Sequence, residues 1–191
     1  METTIPQVVL ERVIRGRAVV NLLTIVAASI FIALAAQVAV PIPGTPVPLT
    51  LGPLAVLLVG VTLGSARGAA AAALYLFEGL TGLPVGAQGH GGILWLIGPT
   101  AGYLYSYPLA AFIAGWMSER GWGSNVLRGI AGMLAALVVI YAGGWSWLAI
   151  HGGAEKAFFL AIAPFLVADI IKIAIAAAVL PYAQRLVSRI A

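Results

Sequence analysis

The stretch Ala18–Val40, AVVNLLTIVAASIFIALAAQVAV, runs for 23 residues without Asp, Glu, Lys or Arg. About 20 apolar residues in a helix cross a hydrocarbon core of about 30 Å. A signal peptide would carry a shorter apolar core of about 7–15 residues, so this stretch reads as a retained membrane span behind a charged tail at residues 1–17. Two more windows, Gly79–Ser118 and Gly129–Ala154, are also free of these four residue types, and the first charge-free run extends to Ala66. Across all 191 residues, 62% are hydrophobic and 8% charged, six acids and ten bases. A soluble domain is about 25% charged. Sixteen charges cannot cover a soluble surface of this size, which argues against a soluble enzyme, a nucleic-acid module or a disordered chain. The length fits one domain, residues 1–191.

The net charge of +4 does not point to nucleic acid. Such sites gather Lys and Arg on one face, and here the bases are scattered between apolar windows. Cysteine is absent, so there is no disulfide, thiolate metal site or cysteine nucleophile.

Gly- and Pro-rich breaks divide the windows into six expected helices: about Ala18–Val40, Leu51–Leu63, Ala66–Leu80, Ile97–Met117, Val126–Ile150 and Ala157–Leu186. The positive-inside rule orients them. With both termini cytoplasmic, Arg12, Arg15, Arg17, Arg67, Arg120, Arg128, Arg185 and Arg189 all fall inside. Lys156 alone lies in an outer loop, and Lys172 lies within the sixth helix. The expected fold is therefore an all-α, six-span integral membrane protein.

Both long outer loops lack charge. Pro41–Pro48, PIPGTPVP, cannot be helical, because its prolines remove N–H donors and push the preceding residues to extended backbone. Thr81–Ile97, TGLPVGAQGHGGILWLI, is Gly-rich. Non-helical backbone at membrane depth is tolerated where it is buried or lines a cavity. The loops are expected to fold back over a ligand cavity, against the plainer alternative of two compact turns.

Two charges have no topological excuse. Asp169 and Lys172 lie three residues apart, on one face of the sixth helix. Counted from Ala157 along one continuous helix, Asp169 lies about 15–20 Å deep. A charge at mid-span costs about 2.5–3.5 kcal/mol. The pair reads either as a site with one acceptor and one cationic donor or as a self-neutralising packing element. Gln88 and His90, in the Gly-rich loop, are further contact candidates. Trp95 and Tyr103 flank Gly98–Gly102 and are candidates for a ligand wall. Tyr105, Tyr107, Trp116, Trp122, Trp145 and Trp147 read as interfacial belts, and His151 as interfacial. Glu78, Gln37 and Asn21 read as polar residues reaching the ends of their helices. Gly60, Gly64 and Gly68, and Ser29, Ala33, Ala35 and Ala39, have the small-xxx-small spacing that lets helices approach.

No GxxxxGK[ST], HExxH or GxSxG motif occurs. The chain is not expected to be an enzyme or to bind a cofactor, and energised transport would need separate ATPases.

Four runs carry a family resemblance. They are PIPGTPVPLTL at Pro41–Leu51, GLPVGAQGHGG at Gly82–Gly92, IGPTAGYL at Ile97–Leu104 and PFLVADIIK at Pro164–Lys172. In order and spacing, the chain resembles the BioY family, the biotin-specific substrate-binding (S) components of energy-coupling factor (ECF) transporters. The resemblance implies high-affinity biotin capture from the outer side of a prokaryotic cytoplasmic membrane. It implies a binding pair at Asp169 and Lys172 and a second-loop contact near Gln88. It also implies a transmembrane coupling protein, docked on small residues of the first helix (Ser29, Ala33 and Ala35), and two cytoplasmic ATPases. The alternatives are an S component for another small vitamin or amide-bearing nutrient, or a membrane packing protein in which the Asp–Lys pair is structural.

Overall fold

A computed structural model describes the backbone of residues 7–122 and 125–190 and the side chains of 17–122 and 125–180. Arg12, Arg15, Arg185 and Arg189, which contributed to the orientation argument, have side chains outside that set. The chain is helical almost throughout: α1 Gln7–Gln37, α2 Gly52–Leu63, α3 Ser65–Leu80, α4 Ile93–Ile97, α5 Ala101–Glu119, α6 Val126–Gly152, α7 Ala154–Ala161 and α8 Leu166–Ile190. One antiparallel pair, β1 Ala39–Val40 and β2 Leu49–Thr50, ties together the two ends of the proline loop.

Helix α5 is the central post and packs against α2, α3 and α6. Helix α1 covers α2 and α3, while α7 and α8 lean on α6. Small residues allow these close crossings. A Cβ on Gly60 of α2 would run into the Ala111 carbonyl of α5, and one on Gly68 of α3 would run into Gly60 itself. Gly102 of α5 meets Gly143 of α6 backbone to backbone in the same way. The apolar residues left over, such as Leu22, Leu34, Val138 and Ile175, face outward. In a chain this poor in charge, such a surface belongs against lipid.

Arg17–Gln37 and Val126–Gly152 are each long and apolar enough to cross a membrane. Helices α7 and α8 pass the same test together but are bent by 46° at their junction. Here the expectation of one continuous helix from Ala157 is corrected. Pro164 lacks an N–H and clashes with the preceding turn, so α7 stops at Ala161 and α8 starts at Leu166. Asp169 therefore lies in the first turn of a new helix, and the depth counted along an unbroken helix does not apply. The fourth expected helix is also divided. Pro99 disfavours helix at Gly98, which separates the short α4, carrying Trp95, from α5. The first helix ends at Gln37 rather than Val40, where the chain extends into β1.

At the end away from the long loops, the α2–α3 turn meets the foot of α5. Glu119 accepts from the Ser65 backbone N–H at 2.7 Å and from its hydroxyl at 3.0 Å. An acid at this position satisfies a free donor at the start of α3 and complements the helix dipole. Asn125 caps α6 through the Leu127 N–H at 2.9 Å.

Filling the tightest crossing tests this packing. Gly60→Val is expected to destabilise the protein by about 1–3 kcal/mol, as overpacking does. Gly152→Ala, where an added Cβ meets nothing within 4 Å, should be neutral. Thermal unfolding in detergent distinguishes them, and equal midpoints would contradict the close α2–α5 approach.

Candidate functional site

A cavity of about 400 Å³ opens among the two long loops, α3, α5, α6 and the start of α8. The loops fold back over it: Pro46–Thr50 form one wall and Ala87, Gln88, His90 and Gly91 another. Its lining is mostly apolar and aromatic, with Tyr75, Trp95, Tyr103, Tyr107 and Tyr141 contributing. Its volume lies within the usual range of small-molecule sites, about 300–1,000 Å³.

Glycines make room for the rings. An added Cβ on Gly79 or Gly86 would overlap the Trp95 indole, and one on Gly144 would overlap the Tyr103 ring. Trp95 is thus seated between α3 and the second loop, edge-on to Tyr75 at 5.6 Å between centroids. Tyr75 in turn stacks on Tyr107 at 6.2 Å. Offset and edge-on pairs of this kind hold aromatic rings in fixed orientations.

Asp169 is the one buried ionisable carboxylate among the described residues, 6% exposed. Its two oxygens are held from two sides. Oδ1 accepts from Lys172 Nζ at 2.8 Å, and Oδ2 accepts from the Tyr141 hydroxyl at 2.7 Å. The ammonium also donates to the Thr50 carbonyl at 2.9 Å. Lys172 thereby ties α8 to β2 and neutralises the acid. Each carboxylate oxygen keeps acceptor capacity after these bonds. The start of α8 adds a favourable dipole at Asp169.

The break before α8 is likewise satisfied by side chains. Carbonyls at the end of α7 have lost their helical donors. The Tyr103 hydroxyl donates to the Ala161 carbonyl and the Thr45 hydroxyl to the Leu160 carbonyl, both at 2.7 Å. The second bond anchors the proline loop on α7.

Of the candidates read from sequence, Asp169, Gln88, His90, Trp95 and Tyr103 all border this cavity. Lys172 does not line it but stands behind Asp169. The interfacial reading of Tyr107 is corrected, since it is 5% exposed and faces the cavity. Ser29 is corrected as a docking residue. It is fully buried, and its hydroxyl lies 2.8 Å from Glu78 Oε1 on α3. That contact also draws Glu78 inward, away from its expected reach to the interface. Ala33 and Ala35 are half-buried and packed against the core. Tyr75, Tyr141 and Thr50 went unread as site residues. Tyr141 lies 28 positions from Asp169 on a different helix, and no spacing rule links two helices.

The BioY family model matches residues 8–189. A protein of Pyrococcus horikoshii named "Probable biotin transporter BioY" is 42% identical over 151 residues, covering 78% of this chain and 88% of its own length. The "Biotin transporter BioY" of Rhizobium etli is 37% identical over 164 residues, covering 81% and 87%. The fold is similar to the crystal structure of the S-component for biotin from an ECF-type ABC transporter. That match has a TM-score of 0.79 and 22% identity, and covers 89% of this chain and 93% of the other.

The buried pair is testable without any ligand. Lys172→Met removes the cation from a carboxylate that stays buried, and should cost about 3 kcal/mol, as breaking one side of a buried pair does. Adding Asp169→Asn removes the stranded charge, and the double variant should regain most of that loss in thermal unfolding. Losses that simply add would contradict the coupling.

Proposed function

The chain belongs to the BioY family, and on that premise we propose that it captures biotin as the S component of an ECF-type transporter. The carrying observation is the cavity's single ion-paired carboxylate, oriented by Tyr141 and Lys172 inside apolar and aromatic walls. Biotin presents two ureido N–H donors, a ureido carbonyl, an apolar thioether ring and a carboxylate tail. Asp169 suits the N–H donors, and the charge assists such bonds. The hydroxyls of Tyr75 and Tyr107, which line the cavity, suit the ureido carbonyl. Trp95, Tyr103 and Tyr107 offer flat apolar faces to the fused rings. Gln88 and His90, exposed on the second loop, suit the carboxylate at the mouth.

This reading places six spans in a prokaryotic cytoplasmic membrane: α1, α2, α3, α5, α6 and the bent α7–α8 unit. Both termini are cytoplasmic and the cavity faces outward. Helices α2 and α3, with 12 and 16 residues, are short for a span of about 20. The loops above them fill the remaining outer depth, which is why irregular backbone lies at the cavity. The positions of Arg67, Arg120 and Arg128, at or beside the α2–α3 and α5–α6 turns, support this orientation. Ala33 and Ala35 on α1 remain the proposed contact for a transmembrane coupling protein. Two cytoplasmic ATPases would supply the energy, because the sequence has no phosphate-binding loop of its own.

Equilibrium binding to the detergent-solubilised protein tests the proposal. Biotin should bind at least tenfold more tightly than thiamine or riboflavin. Asp169→Asn should weaken biotin about 10- to 100-fold, the range expected for losing bonds to a charged group. Equal affinity for the three vitamins would refute the biotin reading.

A further inference from the structure

Gln37 ends α1, beside the cavity but outside its lining. Its amide is engaged at both ends, with the second loop as partner. Nε2 donates to the Gly86 carbonyl at 2.9 Å and to the Pro84 carbonyl at 3.2 Å, and Oε1 accepts from the Gly89 N–H at 3.1 Å. A fourth, longer contact of 3.4 Å runs back to the Ala33 carbonyl on its own helix. A glutamine that merely reached an interface would spend its amide on water. This one spends it on main-chain groups 47 to 52 positions away.

Gly86 and Gly89 bracket Gln88, whose backbone has φ 58° and ψ 28°. It is the one non-glycine residue at positive φ among the described residues. This left-handed conformation is unfavourable for a residue with a Cβ, and it persists where the surroundings over-determine it. Within the turn, the Gly86 N–H donates to the His90 carbonyl at 2.8 Å and the His90 N–H donates to the Ala87 carbonyl at 3.2 Å. The Gly89 N–H is shared between the Gly86 carbonyl and Gln37. Gln37 is thus the external grip on a turn whose centre resists its own conformation. The Gln88 side chain borders the cavity and has no hydrogen-bond partner among the described residues, so its amide is free for a ligand.

We infer that Gln37 is a positioning residue for ligand capture: by gripping Gly86 and Gly89 it holds Gln88 left-handed and presents the Gln88 amide to the cavity. The inference rests on reading the cavity as the biotin site. It adds a latch that joins α1 to the second loop and acts on a bound ligand through the Gln88 amide.

The test compares the parent chain with Gln37→Leu, Gln88→Gly and the double variant. Biotin dissociation is followed in all four, and hydrogen–deuterium exchange of residues 83–91 is followed without ligand. Gln37→Leu should speed biotin release about tenfold, the effect of one net hydrogen bond. It should also raise exchange in the loop. Glycine adopts positive φ freely and carries no amide. Adding Gln37→Leu to Gln88→Gly should therefore change release by less than about twofold. Gln37→Glu keeps an acceptor for Gly89 but sets a carboxylate oxygen against the Gly86 and Pro84 carbonyls. It should raise loop exchange and speed release at least as much as Gln37→Leu, which keeps the test open if the leucine variant folds poorly. Unchanged loop exchange in Gln37→Leu would overturn the inference, as would a release effect of full size in the Gln88→Gly background. If the parent chain does not retain biotin, the biotin reading fails and the exchange comparison alone decides the latch.

Discussion

The structure turns on what Pro164 does to the last apolar segment. By ending α7 and restarting the chain as α8, it places Asp169 at a helix start instead of mid-helix. A buried carboxylate needs compensation on this scale. It receives a helix N-terminus, the Lys172 ammonium and the Tyr141 hydroxyl. The same break frees carbonyls on α7, and these recruit Tyr103 from α5 and Thr45 from the proline loop. Lys172 recruits Thr50 from β2. The acid, the break and the first loop are therefore one connected arrangement, and the cavity forms where they meet α3, α5 and α6.

Glycine plays the complementary part. Apolar helices in lipid gain little from hydrophobic burial against each other and associate through close packing instead. Gly60, Gly68, Gly102 and Gly143 let α2, α3 and α6 pack closely around α5. Gly79, Gly86 and Gly144 use the same absence of a side chain to seat Trp95 and Tyr103 at the cavity wall. Packing and site thus draw on one feature of the composition.

Much of this was legible in the sequence. Charge-free windows and proline clusters located the helices to within a few residues at most ends, because both signals act locally. Asp169 and Lys172 stood out because an ionic residue in an apolar run has a cost that sequence alone reveals. The misreadings share a cause. Tyr107, Ser29 and Gln37 were read by where they fall along a helix, whereas their roles depend on what lies across from them: Tyr75 for Tyr107, Glu78 for Ser29, and the Gly86 and Gly89 backbone for Gln37. Tyr141 was invisible for the same reason. Pro164 is visible in the sequence, but a lone proline in an apolar run does not show there whether it kinks the helix or divides it.

A structure of the protein with biotin bound tests the central claim most directly. The account predicts a ureido nitrogen within about 3 Å of an Asp169 oxygen, hydrogen-bonding distance, with the fused rings against Trp95 or Tyr103 and the carboxylate toward the second loop. Biotin lodged elsewhere, or reversed with its carboxylate at Lys172 and no contact from the ureido group to Asp169, would contradict it.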